Sequence, residues 1–375
     1  MIPADEQLAP WYDAETVAVL GDIRRHCEQI SDPVMRIAVG REALATIWPT
    51  QAERIQNTHW IEVKPSKDRG INSKPGTKLF RWNFAQQRLY HDVILSAKQE
   101  GRPCRFLVLK ARQLGISTFM QSLDYDELEQ TPNVKSQTVS YDVASTVELF
   151  EKARYIHNNL WFPRPLSSDK NGALKFAKPH YSAFFTTTAR NVHAGRSFTF
   201  AHLHLSEVPM WESPVETSTA VIQTVADVPG TSIAMEFTAR GAQGYAYETW
   251  SDAVDGKNDF VPFFAPWFWD PEYSLPFETD EARTQFALRQ SRADEEFQTN
   301  YKLTLEQMHW WAWCLRNKCG GSINKRKQEY PSNAEEAFLM SGRPVFDRVD
   351  ELERLQRACK QPFRRGHILL TGAVS

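Results

Sequence analysis

The spacing of apolar residues changes repeatedly along this chain, and each change marks an element. From Leu79 onward, short apolar runs give way to longer stretches with apolar residues every three or four positions. The runs at 105–109, 134–140, 198–205, 231–237 and 259–264 read as strands, and the stretches at 118–129 and 143–160 as helices. In the latter helix, Val143, Val147, Phe150 and Ala153 fall along one face. This alternation implies an α/β fold with a mainly parallel central sheet flanked by helices. Residues 173–190 interrupt it and suggest an inserted hairpin, with Pro179 and His180 near the turn. Ahead of the sheet, Ala14 to Gln29 and Asp32 to Ile47 show helical spacing. The expected division is an N-terminal helical region over 1–64, a Lys-, Gly-, Ser- and Pro-rich linker over 65–78, an α/β domain over 79–346, and a C-terminal helix and linker over 347–375.

Composition narrows the class. The 375 residues are 42% hydrophobic and 24% charged, values of a globular protein. No apolar run reaches the roughly 18 residues of a membrane span, and Met1 to Pro10 lacks the basic and apolar regions of a signal peptide. Five cysteines, few and odd in number, are expected to be reduced thiols, since Cys314 and Cys319 have no second pair at metal-binding spacing. A net charge of −2 leaves any nucleic-acid contact local or transient. The tryptophans concentrate between Trp250 and Trp313, a pattern that predicts a packed aromatic core rather than a base-stacking platform.

The chemistry centres on Lys110-Ala111-Arg112-Gln113-Leu114-Gly115-Ile116-Ser117-Thr118, which joins the apolar run Phe106 to Leu109 to a helical stretch. Strand, tight turn and helix form the setting in which backbone N–H groups cradle phosphates. Against the pattern G-x-x-x-x-G-K-[ST], Gly115 and Ser117 hold the second glycine and hydroxyl positions. Ile116 replaces the lysine, and Lys110 stands where the first glycine is usual. Lys110 is therefore expected to reach the β/γ-phosphates from the opposite edge, with Ser117 on a metal; the plainer reading makes Ser117 a helix cap. Further on, His202-Leu203-His204-Leu205-Ser206-Glu207 is an apolar strand closing in an acid. Glu207 suits a general base or water-positioning group, and Ser206, in place of an aspartate, a weak metal contact. Gln86, or its neighbour Gln87, carries an amide able to pair with adenine.

These motifs, in this order, resemble the large terminase subunit of tailed bacteriophages, which often carries K-x-R-Q-x-G-x-S-T with its lysine at the front of the loop. Gly195-Arg196-Ser197 before the acidic strand is similar to the family's pattern, as is Thr238-Ala239 after the strand ending in Phe237. Phe263 to Pro271, Tyr330 to Phe338 and Gly342 to Phe346 also match stretches common in these ATPases, and the resemblance covers roughly 79–346. It implies a P-loop NTPase that uses ATP and Mg2+ and drives double-stranded DNA into the procapsid. It also implies nucleotide binding by Gln86 and 110–118, coupling through Thr238, and metal contacts from Ser117 and Ser206. An arginine should meet the transition state, either in cis (Arg112, Arg196) or from a neighbouring subunit (Arg154, Arg190). The implied partners are DNA, a portal protein, the small terminase subunit and further copies in a ring, in the host cytoplasm and without a membrane. Lys170, Lys175 and Lys178 are candidate DNA contacts.

Such proteins usually continue into a nuclease domain. Here Asp347, Asp350, Glu351 and Glu353 fall on one expected helix and the chain stops at Ser375, so no nuclease activity is expected from it, whether it is truncated or naturally split. Two other readings stay open: a helicase-like translocase, and a degenerate nucleotide-binding scaffold that docks a portal or small subunit.

Overall fold

The structure, a computed structural model, describes residues 1–63, 76–191 and 198–338. Most of the expected linker, Arg196 and everything from 339 onward lie outside the described residues. The strands are β1 (Trp60–Val63), β2 (Gly76–Leu79), β3 (Cys104–Lys110), β4 (Lys135–Ser140), β5 (Leu166–Lys170), β6 (Ala173–Phe176), β7 (Ala183–Thr188), β8 (His202–Ser206), β9 (Ser232–Phe237) and β10 (Val261–Ala265). β1 and β2 form a separate antiparallel pair. The other eight make one sheet in the order β10-β3-β9-β8-β4-β7-β6-β5, parallel from β10 through β7 and antiparallel over its last two strands. All seven residues of β3 are buried, as a strand covered on both faces requires. The fold is thus the expected α/β class.

The region 173–190 differs from its expected form. β6 and β7 do pair antiparallel across Pro179 and His180, but β7 also pairs in parallel with β4, and β5 extends the ladder. It continues the central sheet instead of projecting from it. Thr186, Thr187 and Thr188 make β7 look polar in sequence, because its face is only half covered.

The N-terminal helices Ala14–Glu28, Pro33–Ile47 and Gln51–Thr58 begin at the capping side chains of Asp13, Asp32 and Thr50. They pack Leu20, Leu44 and Trp48 against Trp161 and Phe162. They also cover the outer face of the helix Ile116–Gln130. Arg54 grips Asp126 through two hydrogen bonds of 3.1 and 2.8 Å, Arg41 pairs with Glu129, and His59 Nδ1 lies 2.6 Å from Ser122 Oγ. That helix is therefore buried on polar and apolar sides alike, and it sits firmly behind the loop it follows. Just past β10, Trp267 is fully buried and stacks on Trp310 and Trp311, ring centroids 5.1 and 4.9 Å away. This is the aromatic core expected from the tryptophan clustering.

Candidate active site

Three neighbouring parallel strands, β3, β9 and β8, end side by side. Their register aligns Val108 with Glu236 and Glu236 with Ser206. Strand side chains alternate between faces, so Lys110, two residues past Val108, shares a face with Glu236, Ser206 and His204. The helix Ile116–Gln130 covers that face.

After Lys110 the chain turns through Ala111 to Gly115, with Gln113 at φ 58 and Gly115 at φ 70. A Cβ on Gly115 would stand 2.7 Å from Gln86 Nε2, so both the left-handed backbone and the space require glycine. The loop is fastened from three sides. Ala111 N–H donates to Ala265 O at 3.0 Å, Asn83 Nδ2 to Leu114 O at 3.0 Å, and Gln86 Nε2 to Gly115 O at 3.0 Å. Arg112 N–H donates to Glu329 O at 3.0 Å, and the Arg112 guanidinium pairs with the Glu329 carboxylate. Ile116 and Leu114 are buried in the apolar core, so the usual lysine position points away from any phosphate. Thr118 follows Ser117 in the first turn of the helix.

Lys110 stands at the other end of this loop, at the close of β3. Its ammonium lies 3.1 Å from Glu207 Oε1 and 3.3 Å from Glu236 Oε2, and the residue is only 6% exposed. Burial alone would lower its pKa, but the Glu236 and Glu207 carboxylates outweigh burial and hold it above the ordinary lysine value. Burial likewise pushes the Glu236 carboxyl up, and Lys110, then His204 and Ser117, reverse this and hold it well below the usual carboxylate range. Both groups are charged at neutral pH. Glu207 adopts the left-handed conformation, φ 53, directly after β8. In a non-glycine residue this costs about 1–3 kcal/mol and persists where surrounding contacts impose it. Here the turn directs the carboxylate back to Lys110, while Oε2 accepts the Thr238 N–H at 3.3 Å.

The structure brings Lys110, Ser117, Ser206, Glu207 and Thr238 to one place. Gln86 is turned inward: it is 3% exposed, its Oε1 accepts the Asn83 N–H and its Nε2 holds the loop, so it presents no free edge to a base. Arg112 is engaged with Glu329, its side chain 59% exposed. Arg154 pairs with Glu151 at 2.5 Å, and Arg190 with Glu212 at 2.9 Å. Ser206 donates to Glu236 Oε1 at 3.1 Å.

Sequence reading missed Glu236. It is fully buried, accepts Ser117 Oγ–H at 2.5 Å, and has His204 Nε2 at 3.3 Å from Oε1. Its signal was a lone carboxylate between Met235 and Phe237 in a strand buried on both sides, a place where an acid needs partners. Nor does the sequence single out Asn83, the cap that also braces Leu114.

The donor set fits Mg2+. That ion takes hard oxygens, keeps several waters, and needs one or two carboxylates plus substrate phosphates rather than a cage. Among the described residues no three His, Cys, Asp or Glu side chains form a cage. The carboxylate and hydroxyl oxygens beside Ser117 are nevertheless present, and Glu236 Oε2 is buried without a hydrogen bond.

No protein-family model matches the sequence, and no curated protein does. Solved structures similar to this chain include large terminases of several phages. The large terminase of bacteriophage HK97 is 14% identical, with a TM-score of 0.45 over 75% of this chain and 53% of that one. The ATPase domain of the Thermus phage P74-26 large terminase is 14% identical, with a TM-score of 0.43 over 67% and 93%. The large terminase of the thermophilic bacteriophage D6E is 11% identical, with a TM-score of 0.39 over 56% and 51%. The match spans about half the length of the HK97 and D6E chains.

Proposed function

We propose that this chain is the ATP-hydrolysing motor domain of a phage large terminase, driving double-stranded DNA into a procapsid. The observation that carries the ATPase reading is the convergence of Lys110, Ser117 and Glu207 around the glycine turn at the ends of adjacent parallel strands. The packaging role rests on the ordered motifs that resemble terminases. The loop backbone from Ala111 to Thr118 and the N-terminus of the helix Ile116–Gln130 receive the phosphates. Lys110 exchanges its carboxylate partners for phosphate oxygens. That exchange frees Glu207, which then takes a proton from the water that attacks the γ-phosphorus, giving ADP and phosphate. Thr238 passes the change in Glu207 to the segment after β9, a role supported by its N–H bond to the Glu207 carboxylate. Ser117 and Ser206 contribute hydroxyls on the metal side. When bound, Mg2+ would neutralise phosphate charge there. Partners on this reading are DNA, the portal, the small terminase subunit and further copies in a ring, in the host cytoplasm.

A second reading, a nucleotide-binding scaffold without turnover, draws on Ile116 and Ser206 at positions that usually hold lysine and aspartate. A steady-state Mg2+-ATPase assay separates the two. Turnover is expected in the wild type, and Glu207→Gln should keep nucleotide binding while losing turnover, because the amide preserves shape but accepts no proton. Nucleotide binding without any turnover in the wild type, alone or with DNA and portal, selects the scaffold.

A further inference from the structure

We propose that Glu236, on β9, supplies the carboxylate for the nucleotide-bound divalent cation that Ser206, on β8, lacks. The assignment rests on the nucleotide-site reading above. In sequence the acidic strand is deficient, since a hydroxyl stands before Glu207 where a second carboxylate is expected. In space the deficiency is filled from the next strand. Glu236 pairs in register with Ser206, and its longer side chain bridges the interstrand gap of about 4.8 Å. Its Oε1 accepts hydrogen bonds from both Ser206 Oγ, at 3.1 Å, and Ser117 Oγ, at 2.5 Å. Ser117 is the loop hydroxyl that belongs on the metal, so the carboxylate lies directly beside the metal's loop ligand.

A simpler role, counter-ion to Lys110, accounts for less. Glu207 already neutralises Lys110 at 3.1 Å, and a second carboxylate leaves the trio with one net negative charge in a buried place. A mere counter-ion also has no need of two serine donors. Glu236 Oε2, wholly buried, has no hydrogen bond and faces only the ammonium. Behind it run further buried polar side chains. Gln121 Nε2 lies 2.9 Å from His204 Nδ1, and His204 Nε2 lies 3.3 Å from Glu236 Oε1. All three residues are fully buried. Carboxylates that hold metals are oriented by outer hydrogen bonds, as the two serine hydroxyls orient Glu236 here; Gln121 is itself fixed by Thr138 Oγ1 at 3.1 Å.

The test is equilibrium binding of a fluorescent, non-hydrolysable ATP analogue, measured with Mg2+ and with EDTA. In the wild type, Mg2+ should tighten binding. Glu236→Gln should lose about 10- to 100-fold of that metal-dependent gain, read as the ratio of its affinities with Mg2+ and with EDTA. Ser206→Ala, which removes one hydroxyl and no charge, should keep most of the metal effect, and the exchange Ser206→Asp with Glu236→Ser should restore it. An undiminished Mg2+ effect in Glu236→Gln overturns the assignment, as does its loss in Ser206→Ala. If Glu236→Gln does not fold, the Ser206→Ala and exchange variants decide in the same way. Wild-type protein that binds no nucleotide under either condition overturns the nucleotide site itself, and this assignment with it.

Discussion

Lys110 is an ammonium shared by two carboxylates in a place that water barely reaches, so its removal has two separable consequences. Glu207 and Glu236 would be left facing one another without compensation, and breaking a buried pair of this kind costs about 3–5 kcal/mol. The phosphates would also lose the one lysine that the loop segment 110–118 contains. Lys110→Ala is therefore expected to abolish ATP turnover and to lower the urea midpoint sharply; normal turnover would refute the displaced-lysine assignment. The combination with Glu207→Gln should recover part of the stability but none of the activity, since it removes one of the two orphaned charges. At this scale the sequence was informative where a candidate residue ended an apolar run, as Lys110 and Glu207 do, because polar residues there lie at a sheet edge, and the structure brings these two together. It was silent on Glu236, whose partners Ser117, Ser206 and His204 come from other elements and depend on strand order and register. Gln86 illustrates the reverse case. Its chemistry suits adenine, but the capping box with Asn83 and the bond to Gly115 already use both ends of its amide.

Among the elements, the helix Ile116–Gln130 departs furthest from what its pattern suggests. Gln121, Ser122, Asp124, Asp126 and Glu129 would face solvent on an ordinary surface helix, and here all are buried. The neighbouring N-terminal helices and the polar side chains on the sheet make the difference, and neither is visible in the periodicity of one segment. β3, β9 and β10 were legible because buried parallel strands read as nearly unbroken apolar runs; β7, half covered and threonine-rich, was not legible as a member of the sheet. Asp124 has a measurable consequence. It is 4% exposed, lines a cavity of about 290 Å3 with Lys98, Glu127 and His202, and its Oδ2 has no hydrogen bond. Burial, with a smaller contribution from Glu127, pushes its carboxyl up to about 8. The folded chain thus keeps a proton that the unfolded chain releases above pH 3.8, so its contribution to stability is complete below pH 3.8 and is lost as pH rises to about 8. Asp124→Asn cannot titrate. Its stability relative to the wild type should rise between pH 5 and pH 8, by at most about 1.4 kcal/mol per pH unit. Buried His59, held down to about 3, makes both proteins less stable on acidification below 6.5 and cancels in the comparison. Parallel urea midpoints for the two proteins across that range would show Asp124 ionised in the fold.

For the whole molecule, the question is what the active site lacks by itself. On the proposed reading Lys110 and Glu207 answer for phosphate and water, and the candidate arginines among the described residues are engaged elsewhere: Arg112 with Glu329, Arg154 with Glu151 and Arg190 with Glu212. The parallel strands put β7 and β8 in the same direction, so Arg190, just past β7, lies at the edge of the sheet where the loop lies. Arg154 sits eleven residues into the helix Val143–Asn159, about 16 Å from its start and toward the opposite edge. Arg190 is also 66% exposed at its side chain, and its surface ion pair with Glu212 is of a kind worth little. It is the better placed of the two to enter a neighbour's site. A chain of net charge −2 has no strong general attraction for DNA, and the exposed Lys170, Lys175 and Lys178 near the outer sheet edge offer a limited contact. On the ring reading, ATPase activity per subunit should rise with protein concentration, and rise further with portal and DNA. The DNA-dependent part should fall steeply with salt. Arg190→Ala should remove the stimulation and leave the activity of dilute protein unchanged, whereas Arg154→Ala should alter neither. Specific activity that stays flat across concentration, portal and DNA would mean that the site is complete within one chain, and would return the arginine's role to Arg112 or Arg196.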